Sequence, residues 1–158
     1  LVLCPALGRG DVPELPDLDS PRRTRDVEII AAAGPAVVAI FSDAGAGRIV
    51  SGSGSVVHST GLILTNHHVV EDRPGVVLID QFPPVRYRLV GSLPEYDLAI
   101  LEVPPPPTPL VSIPLGRSDE LFAGEPILVG GNPGGRGIIF SKGILSSPSI
   151  TRDMSALV

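Results

Sequence analysis

Cysteine is almost absent from this 158-residue chain: the single one, Cys4, can form neither an intrachain disulfide nor a cysteine-based zinc site, so packing alone must hold the fold. Positive charge is short as well. Twelve Lys plus Arg, of which only Lys142 is lysine, face 17 Asp plus Glu for a net charge of -5. That excludes a nucleic-acid backbone as the main partner, because phosphate binding needs a positive surplus or patch. Long apolar runs are lacking too: the longest, Ile29 to Phe41, is broken by Gly34-Pro35 and falls well short of the ~20 residues that span a bilayer. Charged residues of both signs make up only 18 %, against 43 % hydrophobic, which favours a packed core over intrinsic disorder. Glycine and proline, 18 of each, are what the chain has in excess, at roughly twice average usage, and they predict many turns.

There is no initiator Met, and the apolar first eight residues end in the small-x-small triplet Ala6-Leu7-Gly8. Residues 1–8 are therefore expected to be a signal-peptide remnant. A lipid anchor on Cys4 would want a small residue before it, where Leu3 stands. Residues 9–26 set Arg22, Arg23 and Arg25 beside Asp11, Glu14, Asp17 and Asp19 among prolines, the composition of a solvated linker.

Val27 to Ala33 could make two helical turns before Gly34-Pro35 stops them. Short β-type runs follow: Ala36 to Phe41, Arg48 to Val57, Gly61 to Thr65, Gly75 to Asp80, Val85 to Ser92 and Asp97 to Val103. After these six strands, Pro104-Pro-Pro-Pro-Thr-Pro109 has a single backbone donor, the Thr108 N–H, too few for a central strand, and reads as a stiff connection. Further strands are expected at Leu110 to Leu115, Pro126 to Gly130 and Gly137 to Ser146. Many short strands with Gly/Pro turns predict an all-β sandwich or barrel.

Two of the three histidines sit together in Gly61-Leu-Ile-Leu-Thr-Asn-His-His-Val-Val70. A neutral imidazole where a strand ends can act as a general base, provided a carboxylate holds its other ring N–H. Asp97 opens the apolar strand Leu98 to Leu101, where a charge is costly unless paired or solvated; a strand-edge or capping role is equally open to it. Glu71, Asp72 and Asp80 are the alternatives. A zinc site from His58, His67 and His68 is disfavoured, since adjacent residues on an extended strand point to opposite faces. Gly130 to Gly137 lacks the Gly-Lys-Ser/Thr ending of a phosphate-binding loop and reads as a turn.

Gly52-Ser-Gly-Ser-Val-Val57, Gly61 to Val70, Tyr96-Asp-Leu-Ala-Ile-Leu101, and Gly130-Gly-Asn-Pro133 with Ser141-Lys-Gly-Ile-Leu145 resemble, in order and spacing, successive blocks of HtrA/Deg-type trypsin-like serine peptidases. The resemblance spans about residues 27–147. It implies a chymotrypsin-like double β-barrel: a nearly complete first barrel over 27–103, a Pro-rich connection over 104–110, and an incomplete second barrel over 111–158. It puts His68 at the general base, Asp97 at the triad aspartate and His67 at a variable position, and makes Gly130 to Gly137 a barrel hairpin. It further implies polypeptide substrates, no cofactor or metal, a secreted or periplasmic location and a homo-oligomer.

The family's Gly-Asn-Ser-Gly-Gly type block, which carries the nucleophile, does not occur in these residues. Ser146, Ser147, Ser149 and Ser155 lack the flanking glycines that let backbone N–H groups converge on an oxyanion. The serine is therefore expected beyond Val158, in a parent enzyme of which this stretch is an inactive N-terminal part. The alternative from another class is a non-catalytic binding module on the same fold.

Overall fold

In the computed structural model, residues 14–147 are described, apart from 16 and 81. The expected signal remnant, Cys4, Ser149 and Ser155 lie outside the described residues. Helix α1 (Arg25–Ala33) begins two residues before the expected start, because Thr24 caps it: the Thr24 hydroxyl accepts the Val27 N–H, and Asp26 and Glu28 sit in the positively polarised first turn. The residues expected as linker thus supply the helix start. A short 3₁₀ turn, Gly34–Ala36, then delivers the chain into β1 (Val37–Asp43).

Strands β2 (Ile49–His58), β3 (Leu62–Thr65), β4 (Gly75–Leu78), β5 (Val85–Arg86), β6 (Arg88–Leu93) and β7 (Leu98–Glu102) join β1 in one antiparallel sheet of order β5-β4-β1-β2-β3-β7-β6. The two edge strands are consecutive in the chain and only Tyr87 separates them. The sheet must therefore curl until its edges meet, so the run expected as one strand from Val85 to Ser92 spans both edges. Tyr87 breaks it because its hydroxyl turns inward, accepting from the Ser42 hydroxyl (2.8 Å) and donating to the Arg73 carbonyl (2.8 Å). The all-β expectation holds, with the six-strand count corrected to seven by this break.

The core fills the curl. Val38 and Ile40 of β1, Val56, Ile63, Val77 and Leu101 are fully buried, each from a strand whose alternate residues face inward. Four successive residues of β1, Val37 to Ile40, are buried, so that strand is covered on both faces and reads as an unbroken apolar run.

The strand expected at Leu110 to Leu115 does not form. Pro109 and Pro114 remove donors at both ends, and the stretch makes two backbone bonds there, Leu110 N–H to the Ser59 carbonyl and Ile113 N–H to the Val56 carbonyl. Beyond it, β8 (Pro126–Gly131) and β9 (Ile139–Ile144) pair as a separate antiparallel hairpin, and the glycine-rich stretch between them is its loop. Lys142 of β9 pairs with Asp26 of α1 at 2.6 Å, tying the hairpin to the N-terminal helix. Among the described residues no helix is long and apolar enough to cross a membrane.

Candidate active site

Pairing of β3 with β7 sets Thr65 opposite Ala99, so the chain leaves β3 at Asn66 beside the point where it enters β7 at Asp97. Asn66 is extended, and His67–Val70 then wind into a single helical turn, α2. Val69 and Val70 anchor that turn in the core, which leaves His68 outward with its side chain 64 % exposed. On the facing strand, a 3₁₀ turn at Pro94–Tyr96 ends with Asp97 left-handed at φ 53°, a conformation a short polar side chain tolerates better than most.

Asp97 is held from three directions. Its Oδ1 accepts the backbone N–H of His68 (3.0 Å), its carboxylate accepts His68 Nδ1–H (2.8 Å to Oδ2, 3.0 Å to Oδ1), and Asn66 Nδ2 donates to Oδ2 and to the Asp97 carbonyl. These bonds, the backbone N–H of His68 first, hold the Asp97 carboxyl below the usual carboxylate range. A carboxylate can only accept, so Nδ1 carries the ring proton when the imidazole is neutral, and the lone pair lies on Nε2. Among the described residues nothing hydrogen-bonds to Nε2.

That nitrogen serves a cleft of about 660 Å³ between α2 with β2 and β3 on one wall and the β8–β9 hairpin on the other. Strand β2 fits both walls through alternate residues. Gly52 faces α2, where a Cβ would stand 2.5 Å from a Val69 methyl; only glycine lets the histidine-bearing turn lie this close. Ser53 faces the other way: its Oγ accepts the Asn132 N–H (2.6 Å), while its carbonyl accepts from the Thr65 hydroxyl (2.7 Å). Asn132 is 2 % exposed, and its Oδ1 accepts the Gly137 N–H (2.8 Å), closing the hairpin loop.

The structure thus brings His68 and Asp97 together and leaves the other candidates apart. His67 turns away, its Nδ1 buried without a partner among the described residues; His58 ends β2, bonded to Thr60. Glu71 pairs with Arg73, and neither Asp72 nor Asp80 bonds to His68. The helical turn at His67–Val70 corrects the objection to zinc based on an extended strand, but among the described residues no three His, Cys, Asp or Glu side chains cluster. Asn66, Ser53, Thr65 and Asn132 were not singled out by sequence, although each lies in or beside a quoted block.

A family model described as a trypsin-like peptidase domain matches residues 52–156. A protein of Brucella suis named a probable periplasmic serine endoprotease, DegP-like, is 32 % identical over 109 residues, covering 68 % of this chain and 21 % of its own. A protein of the same name from Pseudomonas putida is 37 % identical over 101 residues, covering 63 % and 21 %. The chain therefore spans about a fifth of the length of the curated relatives it matches. Among solved structures, an HtrA-type protease with a tripeptide superposes with a TM-score of 0.71 at 31 % identity, over 78 % of this chain and 40 % of that one. A serine endoprotease from Yersinia pestis gives 0.68 at 32 %, over 78 % and 45 %.

Proposed function

Because this chain belongs to the trypsin-like peptidase family, of the HtrA/Deg type, we propose that it is part of a secreted or periplasmic serine endopeptidase in which His68 is the general base and Asp97 orients it. The observation that carries the reading is the bond from His68 Nδ1–H to Asp97, which leaves Nε2 uncommitted beside the cleft. On this reading residues 27–103 make the first barrel, 104–110 the connection and 111–158 the start of the second, and the nucleophilic serine comes from outside these residues. The periplasmic location is supported by the names of the relatives.

The chemistry follows from the protonation state. As the serine oxygen attacks the substrate carbonyl, its proton passes to Nε2, and the resulting imidazolium is stabilised by the Asp97 carboxylate, which stays ionised. The same proton then passes to the departing amine, leaving an acyl-enzyme. Water, deprotonated by Nε2 in turn, releases the acid and regenerates the serine.

The test uses a longer chain that carries the serine and a fluorophosphonate probe, which labels only an activated hydroxyl. His68→Ala should abolish labelling and peptide turnover, while His67→Ala should keep most of both. Loss with His67→Ala and retention with His68→Ala would put the base one residue earlier. A wild type that is never labelled would leave the non-catalytic binding module.

A further inference from the structure

We infer that Asn66 is a positioning residue for the proposed reaction: its side-chain amide clamps the Asp97 carboxylate, while Asp97 in turn caps the helical turn that carries His68. The inference rests on the reading above and deepens it.

Asn66 stands at the capping position of α2, yet its side chain makes no bond to its own turn. A side chain capping there would accept the N–H of the residue two or three places on. The first of those, the His68 N–H, is taken instead by Asp97 Oδ1 (3.0 Å), from 29 residues away in sequence. The carboxamide is thereby released to face the other strand. There its Nδ2 meets two oxygens of one residue, the Asp97 carbonyl (3.1 Å) and Asp97 Oδ2 (3.2 Å). Both oxygens can only accept, so the nitrogen of the amide must face them, one N–H to each. A single planar group thus ties the side chain of Asp97 to its main chain, at a residue whose φ of 53° is left-handed. Among the described residues, the remaining hydrogen bonds to the carboxylate all come from His68. The His68 N–H holds Oδ1, about which the carboxylate could still swing together with the ring. The bond from Asn66, the residue that follows β3, holds Oδ2 and removes that freedom. Asn66 therefore fixes the acid relative to the sheet, and through Oδ2 it fixes the imidazole whose Nδ1 bonds there at 2.8 Å.

Asn66→Asp and Asn66→Ser separate this role from simple capping, because Asp and Ser cap about as well as Asn but neither supplies the amide donor. Serine is too short to reach Asp97, and a second carboxylate repels it. Asn66 is exposed, so neither change touches the core. In the longer chain, fluorophosphonate labelling and kcat should fall about 10- to 100-fold in both variants, less than for Asp97→Asn, with KM within about twofold, because alignment and not substrate contact is lost. The second readout needs only the 158-residue chain: the Asp97 carboxyl carbon, followed by NMR through a pH titration. The Asn66 bond is among those that hold this carboxyl low, after the His68 backbone N–H. The midpoint should therefore rise in Asn66→Ser and rise further in Asn66→Asp, where a like charge stands beside it. Unchanged kcat, or an unmoved midpoint, overturns the inference. So does a raised KM at constant kcat, which would make Asn66, a residue lining the cleft, a substrate contact. Should one variant not fold, the other decides. A labelled wild type with unaffected variants sinks this inference alone, whereas an unlabelled wild type sinks the peptidase reading and this inference with it.

Discussion

Gly52→Ala sets two opposite effects against each other at one position. In open space, alanine for glycine in a strand stabilises by about 0.4–1 kcal/mol, through the lost freedom of the unfolded chain. Gly52 is not in open space. A Cβ there would lie 2.5 and 2.7 Å from the two Val69 methyls and 3.2 Å from Val69 Cβ, where comfortable carbon contacts need about 3.5–4.0 Å. Rotating Val69 does not clear the contact, because its own Cβ is already too near and a β-branched residue in a helical turn has one strongly preferred rotamer. The turn must retreat by about 1 Å, and overpacking of this kind costs about 1–3 kcal/mol, so destabilisation wins. The melting temperature of the 158-residue chain, followed by far-ultraviolet circular dichroism, should drop by roughly 2–8 °C. Val69→Ala alone should cost about 1.5 kcal/mol for two buried methyl groups, and in the double variant the two costs should fall short of their sum by about 1 kcal/mol or more. In the longer chain, the same 1 Å displacement of His68 should lower kcat on the order of 100-fold. A Gly52→Ala chain that melts higher than wild type, or costs that add independently, would refute the reasoning.

Asp97→Asn should lower kcat of the longer chain on the order of 10⁴-fold with little change in KM, since the amide favours the tautomer with its proton on Nε2; a normal kcat in a destabilised variant would reduce Asp97 to a strand-edge role. Acid should erode the stability that Asp97 supplies: with its pKa lowered in the folded state, that contribution is present above the ordinary value near 3.9 and is lost as pH falls through the lowered one. Urea midpoints of wild type and Asp97→Asn should therefore converge on acidification, and a widening gap would contradict the sign. The 158-residue chain should not cleave casein, and it should self-associate through Val129, Ile139 and Ile144, which the β8–β9 hairpin leaves more than half exposed. Sedimentation velocity independent of concentration, or casein cleavage insensitive to His68→Ala, would count against this.

Strands were legible as short β-type runs between Gly/Pro turns, β1 as an unbroken apolar run because it is covered on both faces; β1, β2, β3 and β7 lie within two residues of their expected bounds. What escaped depends on distant partners. Nothing local in Val85 to Ser92 says that a tyrosine hydroxyl will turn inward to Ser42 and Arg73 and break the strand. Leu110 to Leu115 is the exception: it has a strand's composition and fails as one because of a local signal, Pro109 and Pro114, which interrupt the ladder at both ends. The turn at His67–Val70 is helical because Val69 and Val70 must both reach the core, a demand set by the barrel and not by helix propensity. That His68 and Asp97 meet was legible from two short blocks; the bonds Asn66 adds to Asp97 were not, although it stands two residues before the base.

The Gly52 to Ser55 block shows why such a motif carries more than its composition suggests. On a strand, successive residues face opposite sides, so Gly52 and Gly54 look inward, to Val69 and to Ile40 and Ile63, while Ser53 looks out to the hairpin. Glycine on one face and a hydroxyl on the other are answers to two different neighbours, and exchanging their order would fail on both. Serine at position 52 would meet Val69, and glycine at 53 would leave the Asn132 N–H without its acceptor. Strand β2 is thus a shared wall, with the histidine turn seated on one side and the hairpin clamped to the other, 79 residues away in sequence. Any shift of the hairpin is felt at Ser53, and through the Ser53 carbonyl at Thr65, before it reaches His68. The separation of the two sides of the cleft is therefore set by β2 itself, independently of whatever chain fills the space between them.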